Sequence, residues 1–555
     1  MKLKLPKIFL YFLGAIFVLN LVQSYFTELI YDESYYWYYA QNMAWGYFDH
    51  PPMVALLIKV GSFFFDGELG VRFVSCILSA LTYILLWTMV DHEKKKDYVR
   101  HFFVLVFSMT LLNAYGFFTL PDTPLLFFTT AFLLTYKNFV KSPTVLLSII
   151  MGVLMACLMY SKYHAVLVIL FVLFSNLKLV FNKLAWLSIF VALLCYTPHF
   201  IWLFNNDFIS IKYHLFERHR GAYNFTGYTL GYFLNLVAIF GFTFPWIYYA
   251  LYKNKLSDKF TKALVYLIYG ILLFFFVSSF NRKVQTQWII IISIPLVIIV
   301  FNYILQNEKF RKTIYTVGLV NIAILLFLRI GMVYEPIFPI VYETHGNREW
   351  VEKVQSEVGD IPVVFENSYR NPAIYSFYSG KKAYSLNNIF YRKNQFSIDA
   401  SESTVQNQKV LYVSYYVNSG DISYTERTGD KYFGNYIENF ESFRKLACYV
   451  EEEFVSMDME NELTLKVYNP YSFDIPLEKL KFGVGFLDEY RVVKDTKTMV
   501  ATPKKESISI LKSMDTTYFN FKIPKSKLTN PSYFKIGIAK EGLYLGLNGN
   551  NINLD

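Results

Sequence analysis

Three short stretches hold the residues whose types and spacing suit chemistry. Tyr31-Asp32-Glu33-Ser34-Tyr35-Tyr36-Trp37 sets two adjacent carboxylates among aromatic rings directly after an apolar block, and Gly46-Tyr47-Phe48-Asp49-His50-Pro51-Pro52 follows soon after. Leu120-Pro121-Asp122-Thr123-Pro124 places a further acid between prolines. A carboxylate at a bilayer surface is costly unless solvated or paired, so an acid kept there reads first as functional. Simpler readings compete. Tyr and Trp favour the membrane interface in any case. Proline at a helix start with Asp in its first turn is ordinary capping, which is the alternative for Asp122. If the three loops share one face, Asp32, Asp49 and Asp122 converge on one site.

Cations accompany these acids: Lys59, Arg72, Lys162, His164, Arg218, His219, Arg220, Arg282 and Lys283. Such a set suits an anionic headgroup such as a phosphate. Lys59 and Arg72 have snorkelling from helix ends as the alternative. Glu217-Arg218-His219-Arg220 and Asn281-Arg282-Lys283 sit in loops, where the alternative is solvated surface charge.

The elements that position these residues are apolar. Hydrophobic residues make up 54% of the 555 and charged residues only 17%, clustered between apolar blocks. Blocks of spanning length lie near 7–25, 70–90, 101–118, 122–139, 144–160, 164–177, 184–204, 230–251, 263–280, 287–305 and 313–333. The pattern predicts about eleven transmembrane helices. Lysine and arginine clusters around 2–7, 94–100, 137–141, 178–183, 253–262 and 309–312 alternate with the acid-bearing loops and mark the cytoplasmic side. The formal net charge of +10 thus reports orientation rather than nucleic-acid binding. The basic start followed by an apolar run, with no small-residue cleavage site, reads as an uncleaved first helix. Cys76, Cys157 and Cys195 fall in apolar blocks and Cys448 stands apart, which gives neither metal spacing nor a disulfide framework.

The expected fold is an α-helical polytopic membrane protein over residues 1–333, followed by an external α/β domain over 334–461 and a β-sandwich-like domain over 462–555. The tail reading rests on apolar runs such as Val363–Glu366 and Val410–Tyr416, then short alternating runs such as Leu463–Tyr468, Tyr518–Ile523 and Phe534–Ile538. With an odd helix count the tail lies on the same face as the acids.

Together the motifs Asp32 to Trp37 and Gly46 to Met53, with Pro121-Asp122-Thr123-Pro124-Leu125, Ser161-Lys162-Tyr163 and Trp288, resemble the bacterial polytopic glycosyltransferases related to dolichyl-phosphate-mannose protein mannosyltransferases. The lipid A aminoarabinose transferase is a more distant relative of the same architecture. The resemblance implies a glycosyltransferase of the C-type fold in the bacterial inner membrane, with a polyprenyl-phosphate sugar as donor and its site and tail periplasmic. It implies Asp32 as catalytic base, Glu33 as its partner and Asp122 as the second acidic position of the catalytic set, which in relatives orients substrate or helps hold a divalent ion. Asp49 and His50 fall where relatives carry an acid and a cation near the lipid phosphate, and histidine leaves that charge open at neutral pH. A divalent metal ion, held by Asp32 and Asp122, is left open. The absence of a Trp-Trp-Asp-Tyr-Gly motif argues against an oligosaccharyltransferase, and the tail lacks β-trefoil character.

With a lipid phosphate as leaving group, one base and positioning suffice, so a single inverting transfer is expected. The acceptor stays open among lipid, glycan and protein, and the sugar between hexose and pentose. A flippase or transporter of lipid-linked saccharide is the alternative. Transporters, however, tend to place charge near the bilayer midplane and to carry inverted repeats.

Overall fold

A computed structural model describes residues 5–217, 221–452, 454–455, 462–505 and 507–554. The chain divides into two compact units, Met1–Ser210 with Tyr223–His345, and Ile211–Ala222 with Gly346–Asp555.

The first unit is helical. It opens with α1 (Lys7–Phe26), α2 (Tyr31–Gln41), α3 (Met53–Gly61) and α4 (Gly67–Met89). The C-terminal half of α1 is built inside out. Asn20, Gln23, Ser24 and Thr27, spaced to share one helical face, are buried, while Leu10, Tyr11, Val18, Val22, Tyr25 and Phe26 are exposed. An apolar surface around a polar interior face is what a lipid-facing helix requires. Lys183–Asn205 repeats the pattern with Trp186, Phe190, Leu194, Ile201 and Phe204 outward. Thr286–Gln306 is instead buried around nearly its whole circumference, so it is the central helix of the unit.

Helices occupy each of the expected apolar blocks, but their lengths differ. Among the described residues, six helices are long and apolar enough to cross a membrane, or seven if Thr226–Ala238 and Gly241–Lys253, bent by 96°, count as one span. Val145–Ser161 and Tyr163–Ser175 are shorter apolar helices. The block near 101–118 is broken into Val99–Ser108 and Thr110–Ala114. The break is filled from the long helix Glu308–Val333, whose Asn321 Nδ2 donates to the Ser108 carbonyl. The same helix buries Arg329, which donates to Asn20 Oδ1 at 3.0 Å and to Asn113 Oδ1 at 2.8 Å and so ties three segments together.

The second unit contains a five-stranded sheet. Its strands are β1 (Val363–Glu366), β2 (Ala383–Leu386), β3 (Gln408–Ser414), β4 (Ile422–Thr425) and β5 (Lys431–Phe440), in the order β2-β1-β3-β5-β4. β1 runs parallel to β2 and β3, and β5 is antiparallel to β3 and β4. A five-stranded and a four-stranded sheet follow, and they enclose Leu465, Val467, Val484, Phe519, Phe534 and Ile536 in one core. The alternating burial of Leu463–Tyr468 is the sandwich signature read from sequence. The division falls earlier than residue 462, however. Ala447–Val450 pairs with Leu463–Tyr468, and Phe454–Val455 pairs with Ile552–Leu554, so both already belong to the sandwich. The compact unit likewise begins at Gly346 rather than at 334, and it includes 211–222.

Candidate functional site

The geometry starts at the turn between α1 and α2. Glu33, in the first turn of α2, is completely buried and faces Arg72 of α4, also completely buried. Arg72 Nε donates to Glu33 Oε1 at 2.8 Å, and Nη2 donates to Oε2. The remaining guanidinium hydrogens go to the carbonyls of Ser24, Thr27 and Glu28, at 3.2, 2.5 and 2.9 Å, closing the end of α1. An arginine has five N–H donors, and here all five are used. Arg72 therefore clamps the turn and has no donor left for a ligand, which corrects its expected place among substrate contacts. Its alternative reading, snorkelling to the surface, fails as well.

Glu33 also accepts the backbone N–H of Thr119 at 2.8 Å and that of Ile30 at 3.4 Å. The Thr119 hydroxyl bonds the Val71 carbonyl at 2.9 Å and Ser75 Oγ at 2.7 Å. One carboxylate thus fixes the start of α2 to α4 and to the turn that leads into Asp122. Glu33 is a positioning group in this arrangement. Asp32, its half-buried neighbour, stands beside the clamp at the positive N-terminal end of α2.

Asp122 begins the helix Asp122–Lys141 and is only 3% exposed. Both its oxygens accept from Lys162 Nζ, at 2.8 and 2.9 Å. Lys162 caps the helix Val145–Ser161, so the pair joins two helix ends. The hydroxyl of Tyr115 lies within electrostatic reach of both Asp122 and Asp32. Tyr163, next to Lys162 in sequence, lies within reach of Asp49. Tyr115 thus faces two of the aspartates, and Tyr163 faces the third.

The Asp49 side is aromatic. Tyr39 donates to Asp49 Oδ2 at 3.5 Å and stacks on Tyr47, with centroids 4.2 Å apart and planes within 6°. His50 meets the Tyr36 ring edge-on at 5.5 Å. Tyr47 is held by its own hydroxyl on the Tyr39 carbonyl at 3.0 Å and by Ser210 Oγ on its carbonyl at 2.9 Å. Gly46 allows the loop to close. A Cβ there would stand 2.3 Å from the Trp202 ring, so the loop and Lys183–Asn205 approach this closely only at glycine.

Sequence reasoning missed His199. It is fully buried, with Nδ1 2.6 Å from the Trp45 carbonyl and Nε2 3.2 Å from the Tyr163 hydroxyl. A carbonyl only accepts, so Nδ1 carries the proton, and in the neutral tautomer Nε2 accepts from Tyr163. The neutral ring passes the position of the first loop on to Tyr163. The signal available was an ionisable residue, next to Pro198, inside an apolar block.

The other cations are dispersed. Lys59 is half-buried in the last turn of α3. Arg282 is half-buried and Lys283 exposed in the connection after Lys259–Ser278. Arg218 and Arg220 lie outside the described residues. His164 packs against Trp288, with centroids 5.5 Å apart. Among the described residues no three His, Cys, Asp or Glu side chains form a metal-sized group. Asp122 accepts from Lys162 with both oxygens, and each oxygen keeps a further lone pair.

Residues 49–202 match the family model Dolichyl-phosphate-mannose-protein mannosyltransferase. That range holds Asp49, Asp122, Lys162 and His199 and starts after Asp32. The fold is similar to that of ArnT from Cupriavidus metallidurans in the apo state, with a TM-score of 0.55 and 12% identity over 73% of this chain and 92% of that one. It is likewise similar to the same protein bound to undecaprenyl phosphate, with a TM-score of 0.51 and 13% identity over the same shares. No curated protein sequence matches the chain. The motif resemblance and the structural likeness agree on one fold, that of the C-type membrane glycosyltransferases.

Proposed function

We propose that this chain is a membrane glycosyltransferase that moves a sugar from a polyprenyl-phosphate donor to a hydroxyl of a lipid, glycan or protein acceptor. The observation that carries the reading is Asp32, half-buried beside the Glu33–Arg72 clamp in the neighbourhood of Tyr115 and the Asp122–Lys162 pair. A half-buried carboxylate, not sealed from solvent, suits a general base. The similar fold seen bound to undecaprenyl phosphate supports a lipid-phosphate donor.

In this mechanism the acceptor oxygen attacks the anomeric carbon from the face opposite the phosphate. The C–O bond to the acceptor forms as the C–O bond to the lipid phosphate breaks, its electron pair leaving on the phosphate. The acceptor proton passes to Asp32, and the configuration inverts. Glu33 acts through Asp32 rather than on substrate. Asp122 orients Lys162, whose ammonium is the group assigned to the phosphate. His50, Lys59, Arg282, Lys283, Arg218 and Arg220 are the further groups for that anion. No step requires a metal. The charge alternation supports an inner-membrane protein with the site and the C-terminal unit on the periplasmic side.

The transporter alternative would use polar groups deep in the helical unit, and Arg329 is such a group. Its hydrogen bonds to Asn20 and Asn113 make it a tie between helices, which favours the transferase.

The test is Asp32→Asn, assayed by release of lipid phosphate from a polyprenyl-phosphate sugar. Asparagine keeps the size of aspartate but is not a base, so transfer should fall about a hundredfold to ten-thousandfold while thermal stability stays near wild type. A folded variant with activity within about threefold of wild type would exclude Asp32 as the base.

A further inference from the structure

The second unit carries a separate constellation at the carboxyl ends of its parallel strands. From β1 the chain goes to β2 on one side of it and then to β3 on the other. The strand order thus reverses at β1, and in open α/β sheets the crevice beyond such a reversal is where ligands bind. The residues that leave these strand ends are Glu366-Asn367, Asn387-Asn388 and Ser414-Tyr415-Tyr416.

They form one hydrogen-bonded network. Asn367 Nδ2 donates to the Tyr416 hydroxyl at 3.0 Å and to Asn388 Oδ1 at 2.8 Å. Asn388 Nδ2 donates to Glu366 Oε1 at 2.9 Å, and Ser414 Oγ donates to Glu366 Oε2 at 2.5 Å. Asn367 itself has a φ of 55°, an unusual conformation outside glycine and one that clusters at ligand sites. Behind the network, Arg444 lies within electrostatic reach of Tyr384, Glu366 and Tyr412, one residue from each parallel strand. Its Nε and Nη2 are shielded from solvent and have no hydrogen-bond partner among the described residues.

In front of the network lies an aromatic surface. Tyr416 and Tyr544 have ring centroids 5.2 Å apart, and Phe390 lies 6.5 Å from Tyr544. Each is exposed, by 44%, 42% and 42% respectively. Three touching aromatic rings left in solvent, beside amides and a hydroxyl and with the nearest carboxylate buried, have a specific complement. Sugar rings present C–H faces to aromatic planes and hydroxyls to side chains that both donate and accept. A phosphate headgroup would find no exposed counter-ion within the network.

We propose that this strand-end surface is a binding site for an uncharged glycan, whose rings stack on Tyr416, Tyr544 and Phe390 and whose hydroxyls donate to the remaining lone pair of Asn367 Oδ1, which already accepts the Asn388 N–H at 2.8 Å, and engage the Tyr416 hydroxyl. The proposal deepens the transferase reading, on which it rests for one point only: the bound glycan is the acceptor or an extended product.

The test uses the full chain in detergent, run by native electrophoresis through gels containing the neutral polysaccharide of the producing cell's own envelope, with linear polyacrylamide as the blank. Wild type should be retarded. Tyr416→Ala and Tyr544→Ala should each weaken retardation tenfold or more, and Tyr416→Phe, which keeps the ring, should weaken it less. Tyr449→Ala removes a tyrosine that is 53% exposed elsewhere in the unit and should change nothing. No retardation of wild type, or equal retardation of all variants, would overturn the site. So would unaltered retardation with a loss of insertion into phosphatidylethanolamine–phosphatidylglycerol vesicles, which would make the rings a membrane anchor. Asp32→Asn should be retarded like wild type, so failure of the base assignment and failure of this site give different results.

Discussion

Two buried ion pairs stand within the same helical unit and do different work. Glu33–Arg72 is sealed, with both side chains at 0% exposure and every guanidinium hydrogen assigned. Asp122–Lys162 is nearly as buried, at 4% and 7%, but an ammonium has three hydrogens and the carboxylate takes only two. A closed pair fixes backbone, whereas an open pair leaves one ammonium hydrogen for a further acceptor, which in the proposed mechanism is the lipid phosphate. Burial alone therefore does not separate a structural charge from a functional one, and the inventory of unused donors does.

The largest effect expected from this contrast is on Arg72→Met. Removing one partner strands Glu33 as a buried, uncompensated charge and should cost about 3–5 kcal/mol of stability. Thermal unfolding in detergent would register this as a large drop in melting temperature. A melting temperature near wild type would mean that the clamp is not sealed. Lys162→Gln is the counterpart. Glutamine still donates to Asp122, so the stability loss should be only about 1–2 kcal/mol. On the proposed donor, undecaprenyl phosphate should raise the melting temperature of wild type, and that rise should disappear in Lys162→Gln. If it persists, the second pair is as closed as the first.

Glu402, in the second unit, extends the comparison to a carboxylate held by neutral groups. It is 1% exposed and accepts from Ser442 Oγ at 2.7 Å, the Arg444 N–H at 2.9 Å and the Tyr471 hydroxyl at 2.5 Å. Burial raises its pKa above the ordinary glutamate value, although all three donors work in the opposite direction. A carboxyl that binds its proton more tightly when folded contributes stability at low pH and loses it as pH climbs through the raised folded value. The second unit should therefore weaken upward from the ordinary glutamate range, by at most about 1.4 kcal/mol per pH unit. Hydrogen exchange at Gln408–Ser414 should report this slope, and Glu402→Gln should flatten it. A slope that survives the substitution assigns the effect to another group.

Much of this was legible in the sequence. The apolar blocks located the helices, and Asp32, Asp49, Asp122 and Lys162, singled out by type and setting, are the residues on which the proposed site rests. The alternation at Leu463–Tyr468 announced the sandwich. What escaped the reading depends on contacts distant in sequence. Arg72 looks like any cation near a helix end until Ser24, Thr27 and Glu28 are seen to present their carbonyls to it. The break after Ser108 requires Asn321, from a helix more than two hundred residues later. His199 is placed by Trp45, and no local pattern shows that a loop carbonyl will reach into an apolar block. The start of the sandwich was set too late because Ala447–Val450 has its partner beyond residue 462.

The grouping of Ile211–Ala222 with the second unit has a consequence for synthesis. This stretch is made before the helices from Gly231 to Val333, yet Arg392, which lies over the Tyr213 ring at 5.4 Å, emerges only after all of them. At translation speeds of about 5–20 residues per second, the segment waits on the order of ten to forty seconds for its partner. During that interval Tyr213, 7% exposed in the finished fold, lacks the Arg392 side chain that lies over it. A ribosome pause between Val333 and Arg392 would lengthen that interval, so the order in which this protein is made is itself a point of vulnerability to misassembly.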